Sequence, residues 1–237
     1  IQKIFEPGSV FKPITMVAGL DTKKVTPETK YVDEGIIKIG GYKIYNYGQR
    51  TWGNQTMNEV LEKSINTGAV FVERQIGHQT FLNYIEKFGF FDPTGITLQG
   101  EVFSTNSNFK KGYEVNFATA SFGQGIEMTP LQLFRAISVI ANGGKMANPY
   151  IVKKIIKDEK EIITQPKVSQ NLIVSQDAVN QVTSMMINVI EKGYGKTAKV
   201  PGYYIAGKTG TAQIPFGALG INRSGYSDKT WQTFVGF

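Results

Sequence analysis

The sequence predicts an α+β fold. Three observations carry that reading: helical patterns lead the chain, strand patterns close it, and no βαβ alternation of the kind that builds a parallel sheet occurs between them.

Taken in order, Pro7-Gly8 leads into Ser9 and an apolar run through Leu20, which reads as a buried helix. Pro13 is tolerated there because first-turn N–H groups have no intrahelical partner. Residues 31–55 are rich in Gly, Tyr and Ile with alternating stretches, and predict short strands and turns. Thr56-Met57-Asn58-Glu59 has capping-box spacing and opens a helix expected to carry Val60, Leu61 and Ser64. A second short helix is expected over 81–88. Thr129-Pro130 is an N-cap and N1 pair, and its apolar helix stops at Gly143-Gly144. Residues 150–156 and 161–164 flank Asp158-Glu159-Lys160 as a β-hairpin. Ser175 starts a helix with Val179, Val182, Met186, Val189 and Ile190 on one side, stopped by Gly193. Residues 203–214 and 231–237 read as strands.

Composition narrows the chemistry. The chain has 237 residues with 41% hydrophobic and 12% aromatic content, which is globular and sufficient for one large core or two modest subdomains. No apolar run reaches the ~18 residues of a membrane span, and no charged leader precedes an apolar segment. Zero cysteines exclude disulfides and thiolate metal sites, and one histidine, His78, rules out a multi-His zinc centre. The net charge of +7 comes from scattered pairs such as Lys23-Lys24, Lys110-Lys111 and Lys153-Lys154, so it reads as a solvated basic surface with no nucleic-acid partner.

Three short patterns carry reactive groups: Ser9-Val10-Phe11-Lys12, Ser64-Ile65-Asn66 and Lys208-Thr209-Gly210. A serine hydroxyl needs a base within hydrogen-bond reach, and on a helix Ser9 and Lys12 face the same side. Lys12 can accept a proton only if it is neutral, which burial and a second cation, Lys208, would favour. Ser64 and Asn66 have two readings at their expected helix end: plain terminators, or a hydroxyl that relays a proton beside an amide that grips substrate. Ser107-Asn108-Phe109-Lys110 and Ser104-Thr105-Asn106 repeat two of the patterns in the wrong order within a polar stretch, and are expected to be loop.

Gly202, Gly207, Lys208 and Thr209 also satisfy a P-loop pattern. The intervening Tyr203, Tyr204, Ile205 and Ala206 are mostly bulky strand formers, and Gly210 and Pro215 stand where a helix should begin, so a strand presenting a lysine and two hydroxyls fits better. There is no G-x-S-x-G elbow, a Ser-His-Asp triad could use only His78, which is expected to be a cap or surface residue at a helix end, and no carboxylate pair stands out.

The longer wording resembles the class B penicillin-binding proteins. Phe5-Glu6-Pro7-Gly8-Ser9-Val10-Phe11-Lys12-Pro13-Ile14-Thr15 looks like their active-serine segment. Ser121-Phe122-Gly123-Gln124-Gly125, then Met128-Thr129-Pro130-Leu131-Gln132-Leu133, is similar to a second family segment, and Ala206-Gly207-Lys208-Thr209-Gly210-Thr211-Ala212-Gln213 to a third. Pro93-Thr94-Gly95-Ile96 and Phe234-Val235-Gly236-Phe237 add to the match. The wide spacings, with Ile65 where class A β-lactamases carry Asp, sit better with large transpeptidases.

The resemblance implies a β-lactamase/transpeptidase-like fold, with a mainly antiparallel sheet flanked by helices plus a helical subdomain. It implies acyl transfer to peptidoglycan stem peptides through Ser9, with Lys12 as base. Ser64 would pass the proton on, Asn66 would orient the substrate amide, and Lys208, Thr209, Gly210 and Thr211 would hold the terminal carboxylate. The oxyanion hole would be the backbone N–H groups of Ser9 and Thr211. β-Lactams would be trapped on Ser9, and neither metal nor organic cofactor is expected. The full-length protein would be anchored on the outer face of a bacterial cytoplasmic membrane beside a membrane glycan polymerase. A serine β-lactamase and a non-catalytic β-lactam sensor or cell-wall module are the alternatives.

The same resemblance makes residues 1–237 one incomplete transpeptidase domain, without an opening helix and strands or a closing strand and helix. Exposed sheet edges and apolar surface should then make this stretch unstable alone. Poor solubility on isolated expression is the expected outcome; cooperative thermal unfolding as a soluble monomer would overturn it.

Overall fold

Helix α1 (Lys12–Asp21) is apolar nearly all round, and every residue of it except Asp21 is buried. A helix without a polar face has to lie inside a protein. The computed structural model describes residues 1–237, and the rest of the chain is arranged about this helix. A 3-10 turn, Gly8–Phe11, runs directly into α1. Four short strands follow: β1 (Lys30–Asp33), β2 (Ile36–Ile39), β3 (Tyr42–Tyr45) and β4 (Gly53–Thr56). Next come the helices α2 (Met57–Glu62), α3 (Asn66–Ile76), α4 (His78–Lys87), α5 (Ser107–Lys110), α6 (Glu114–Ala120) and α7 (Pro130–Ala141). The hairpin β5 (Lys154–Lys157) and β6 (Lys160–Ile163) precedes α8 (Gln176–Glu191), and β7 (Gly207–Pro215) with β8 (Tyr226–Gly236) closes the chain.

The architecture is α+β, and every strand pair is antiparallel, in four separate two-stranded sheets: β1–β4, β2–β3, β5–β6 and β7–β8. Helix α1 packs against α3 on one side and α8 on another, and α8 also supports β7. One apolar cluster of 37 buried residues runs from Val10 through α1, α2, α7 and α8 to Ala206 at the edge of β7, so the helices and the last sheet share a core. Strand β8 leaves Trp231 and Phe234 nearly half exposed. No helix is long and apolar enough to cross a membrane.

Helix starts follow local chemistry. Thr56 and Thr129 both form complete capping boxes, with Glu59 and Gln132 as the reciprocal partners. Ser175 caps α8. The β5–β6 turn places Asp158 and Glu159 at φ 49° and 59°, as a two-residue hairpin loop requires.

Three expectations need correction. Helix α2 ends at Glu62, so Ser64 is not on it, and Asn66 terminates nothing: it opens α3. The break is Ser64 itself, at φ 55° in the left-handed region. Residues 107–110 are a helical turn, not loop, because Phe109 is drawn into the core at 1% exposure. The strand expected from 203 begins only at Gly207, since Tyr203 and Tyr204 are 70% and 85% exposed with nothing to pack on, whereas its partner starts earlier than 231, at Tyr226. His78 does stand at a helix end as expected, just after the Gly77 that closes α3, with its side chain 41% exposed, stacked on Phe117 and its Nδ1 2.6 Å from Glu73.

The capping box of α7 is fully buried, and Gln132 Nε2 goes on to donate to the carbonyls of Phe90 and Asp92. Thr129→Ala should therefore cost about 1–2 kcal/mol, the upper part of the usual capping range. Urea unfolding monitored by circular dichroism checks this, and an unchanged midpoint would contradict it.

Candidate active site

Ser9 reaches its position because the turn that holds it is clamped on two sides. Gly8 adopts φ +62°, and a β-carbon there would lie 2.8 Å from Cβ of Ala212, so the turn lies directly against β7. On its other side the Gly8 N–H donates to the carbonyl of Gly123 at 2.9 Å, and Phe5 bridges to Met128. The segments 5–15 and 121–133 are thus neighbours in space. Ser9 is half-buried, and Lys12, at the start of α1, comes up beneath it at 1% exposure.

The Lys12 amine is the centre of the site. Its Nζ lies 3.0 Å from Ser9 Oγ, 2.6 Å from the carbonyl oxygen of Ser64, 3.2 Å from Ser64 Oγ and 2.8 Å from Asn66 Oδ1. Lys208, wholly buried on β7, donates from Nζ to Ser64 Oγ and to the carbonyl of Thr209, each at 2.9 Å. Ser64 Oγ therefore stands between two amines. Burial, and then the charge of Lys208, hold the Lys12 amine well below the ordinary lysine value; burial brings Lys208 down to about 7.

The hydrogen-bond count accommodates a neutral Lys12. A neutral amine has two protons and one lone pair. The two shortest contacts go to carbonyl oxygens, which can only accept, and they take both protons. The lone pair is left for a hydroxyl proton, and of the two hydroxyls in reach Ser9 Oγ at 3.0 Å is nearer than Ser64 Oγ at 3.2 Å.

Thr209 and Thr211 are half-buried along β7 with Gly210 buried between them. A β-carbon on Gly210 would fall 2.9 Å from Val10 Cγ1 and 2.3 Å from Thr233 Oγ1, so only glycine allows the strand this near the serine turn. Thr211 Oγ1 donates to Gln232 Oε1 at 3.1 Å. Ser9 and Thr211 lie on the two sides of the contact between turn and strand.

All five proposed reacting side chains thus come together: Ser9, Lys12, Ser64, Asn66 and Lys208. The second S-x-x-K stays apart, with Lys110 Nζ 4.0 Å over the ring of Phe91. Lys208-Thr209 lies inside a strand that runs on to Pro215, so no helix begins at the lysine, which removes the P-loop. No three His, Asp or Glu residues gather as metal ligands.

Sequence reading missed three contributors. Asn46 Oδ1 accepts the backbone N–H groups of Asn66 and Thr67, and the Tyr45 carbonyl accepts from Asn66 Nδ2 at 2.9 Å. Nothing in the local pattern around residue 46 marked it. Glu6, quoted only as part of a longer segment, is buried and pushed up to about 7 by that burial while accepting from the Tyr226 hydroxyl at 3.0 and 3.1 Å.

Comparison with known proteins gives one family. The model of the penicillin binding protein transpeptidase domain matches residues 1–237. Stage V sporulation protein D of Bacillus subtilis is 35% identical over 212 residues, which is 88% of this chain and 33% of that protein. A peptidoglycan D,D-transpeptidase FtsI homolog of Mesostigma viride is 31% identical over 250 residues, covering 95% of this chain and 41% of its own length. Penicillin binding protein 3 of Mycobacterium tuberculosis, solved in complex with aztreonam, superposes with a TM-score of 0.87 at 30% identity, covering all of this chain and 54% of that one. The chain spans well under two thirds of each of these relatives.

The two amines set a pH dependence. Below about pH 7 Lys208 is protonated in both folded and unfolded chains. Between there and the ordinary lysine value only the unfolded chain holds the proton, so stability rises with pH across that window, by up to about 1.4 kcal/mol per unit for one group. Lys12, shifted in the same direction, adds to the slope. Denaturant unfolding at pH 7.5 and 9.5 should show the gain, and Lys208→Met should flatten it; an equal slope in that variant would refute the assignment.

Proposed function

Since the chain belongs to the penicillin binding protein transpeptidase domain family, we propose that the protein carrying it is a serine D,D-transpeptidase that cross-links peptidoglycan stem peptides. The observation that supports this most is the Lys12 amine, placed 3.0 Å from Ser9 Oγ with both of its neutral-form protons engaged elsewhere.

In this reading Ser9 Oγ attacks the carbonyl carbon of the penultimate D-alanine and passes its proton to Lys12. The oxyanion that forms is met by the backbone N–H groups of Ser9 and Thr211, where one such donor is often worth about 3 kcal/mol. The proton travels from Lys12 through Ser64 Oγ, which contacts both amines, to the leaving nitrogen. Terminal D-alanine departs, and Ser9 holds an ester. An amine of a neighbouring stem attacks that ester, forms the cross-linking amide and returns the serine hydroxyl. Asn66 orients the substrate amide, and Lys208, Thr209, Gly210 and Thr211 receive the terminal carboxylate. A β-lactam acylates Ser9 by opening its ring, and having no leaving group to diffuse away it stays bound. In this reading the protein works on the outer face of the cytoplasmic membrane, beside a membrane glycan polymerase that supplies the strands to be linked.

Fluorescent penicillin should give one labelled peptide, containing Ser9, by mass mapping of the intact protein, and Ser9→Ala should give none. Lys12→Met should slow labelling by about 10²–10⁴-fold, the usual weight of a general base. A label that persists for many minutes supports the transpeptidase; loss within seconds makes the protein a β-lactamase. Absence of label in folded protein would remove the acyl-enzyme mechanism.

A further inference from the structure

The junction that presents Ser64 and Asn66 is held from behind by two buried polar side chains outside the three motifs. Helix α3 starts without a cap of its own, because Ile65 at its N-cap has no side-chain oxygen. Asn46, 4% exposed and just after β3, supplies the missing acceptor from twenty positions earlier. Its Oδ1 takes the N–H of Asn66 at 2.9 Å and of Thr67 at 3.1 Å. The orientation of the amide is fixed by these contacts, since a backbone N–H can only donate.

The amide nitrogen then faces away from α3 and meets Asp33, the last residue of β1, which is 1% exposed. Asn46 Nδ2 lies 3.0 and 2.9 Å from the two carboxylate oxygens and 3.0 Å from the carbonyl of Arg50. Asp33 is itself anchored by the N–H of Trp52 at 2.8 Å, the N–H of Gly35 at 3.0 Å and the Thr67 hydroxyl at 2.5 Å. A carboxylate so placed repels an amide oxygen and attracts an amide nitrogen, so it dictates which way Asn46 points. Adjacent Tyr45 holds Asn66 Nδ2 through its carbonyl. Asn66 is thereby fixed at its backbone N–H and at Nδ2, and the other polar atom of its side chain, Oδ1, is aimed at the Lys12 amine.

We propose that Asn46 and Asp33 are positioning residues for the acylation step: acting through Asn66, they fix where the Lys12 amine stands relative to Ser9. This rests on the acyl-transfer reading and adds to it a chain of contacts from β1 to the nucleophile. The amine loses an acceptor if Asn66 turns, and a small displacement of a proton acceptor is enough to cost much of a rate. A mere helix cap would need an oxygen at position 46 and nothing more; the paired carboxylate, with its own three anchors, makes the polarity of the contact the constrained quantity.

The test exchanges that polarity in the intact protein. Asn46→Asp sets two carboxylates face to face, and Asp33→Asn frees the amide at 46 to turn over; each should slow Ser9 labelling by fluorescent penicillin by at least about tenfold per folded molecule. The pair Asp33→Asn with Asn46→Asp restores a donor at 33 against an acceptor at 46. It also turns an amide NH2 towards a donor that Asp33 had accepted and sets a carboxylate oxygen against the Arg50 carbonyl, so it should recover part of the rate and label faster than the slower single variant. Its labelling-rate profile against pH should move back towards the original position. Lys208 is the charged group facing Lys12 and is unchanged throughout. Single variants that label at the original rate overturn the proposal, as does a pair no faster than the slower single variant. Should the unsubstituted protein take no label at all, the acyl-transfer reading falls by itself. The contact chain is then judged by NMR titration of lysine labelled at Cε: in Asn46→Ala the Lys12 resonance should titrate at lower pH, because the ammonium has lost an acceptor, and an unmoved titration overturns it.

Discussion

Two buried amines meeting at one serine hydroxyl are the constraint on which the site depends. Taking one ammonium out of water is costly, and taking out two within reach of a common oxygen more so. The protein eases that cost by making proton loss easier, above all at Lys12: burial lowers both lysines, and the charge of Lys208 lowers Lys12 further. Every group in contact with the amines is a neutral carbonyl, amide or hydroxyl oxygen. A carboxylate in any of those places would have stabilised the fold as an ion pair while keeping Lys12 protonated and useless as a base. The absence of an acid here is therefore as much a part of the site as the presence of the lysines.

Local rules made some of this legible in the sequence and concealed the rest. The capping box at Thr56 and the caps at Thr129 and Ser175 bond residues three apart, and all three stand where the local pattern put a helix start; that Gln132 completes a box with Thr129 is seen only in the structure. The apolar run after Ser9 gave a buried helix for the same reason. The α2–α3 junction resisted, because what starts α3 is Asn46, a residue twenty positions away on another element. Ser and Asn near a helix end read as terminators when their partners are unknown. Phe109 is a second case: its polar neighbours read as loop, and only the core it enters winds the segment into a turn.

The spare S-x-x-K shows what the motif does and does not encode. Ser107 and Lys110 do fall on one helical turn, so the spacing is realised in both copies. The difference lies in what surrounds the amine. Lys110 is exposed and rests on the face of Phe91. Lys12 is sealed under Ser9 between α1, β7 and the α2–α3 junction, where the charged form is penalised. Three-residue spacing supplies proximity; burial supplies basicity.

Burial of that depth in turn requires backbones to approach more closely than side chains permit. Gly8 meets Ala212 and Gly210 meets Val10 and Thr233, at separations a β-carbon could not share. A third glycine works on the far side: at Gly123, φ +82°, a β-carbon would fall 2.2 Å from the Gly8 carbonyl oxygen. The serine turn is thus gripped by a strand on one face and a loop on the other, both at backbone contact. Together the three glycines remove the slack from the turn. The rigidity of Ser9 comes from the residues with the fewest atoms, because only they let three stretches of main chain close on one another over a pair of lysines.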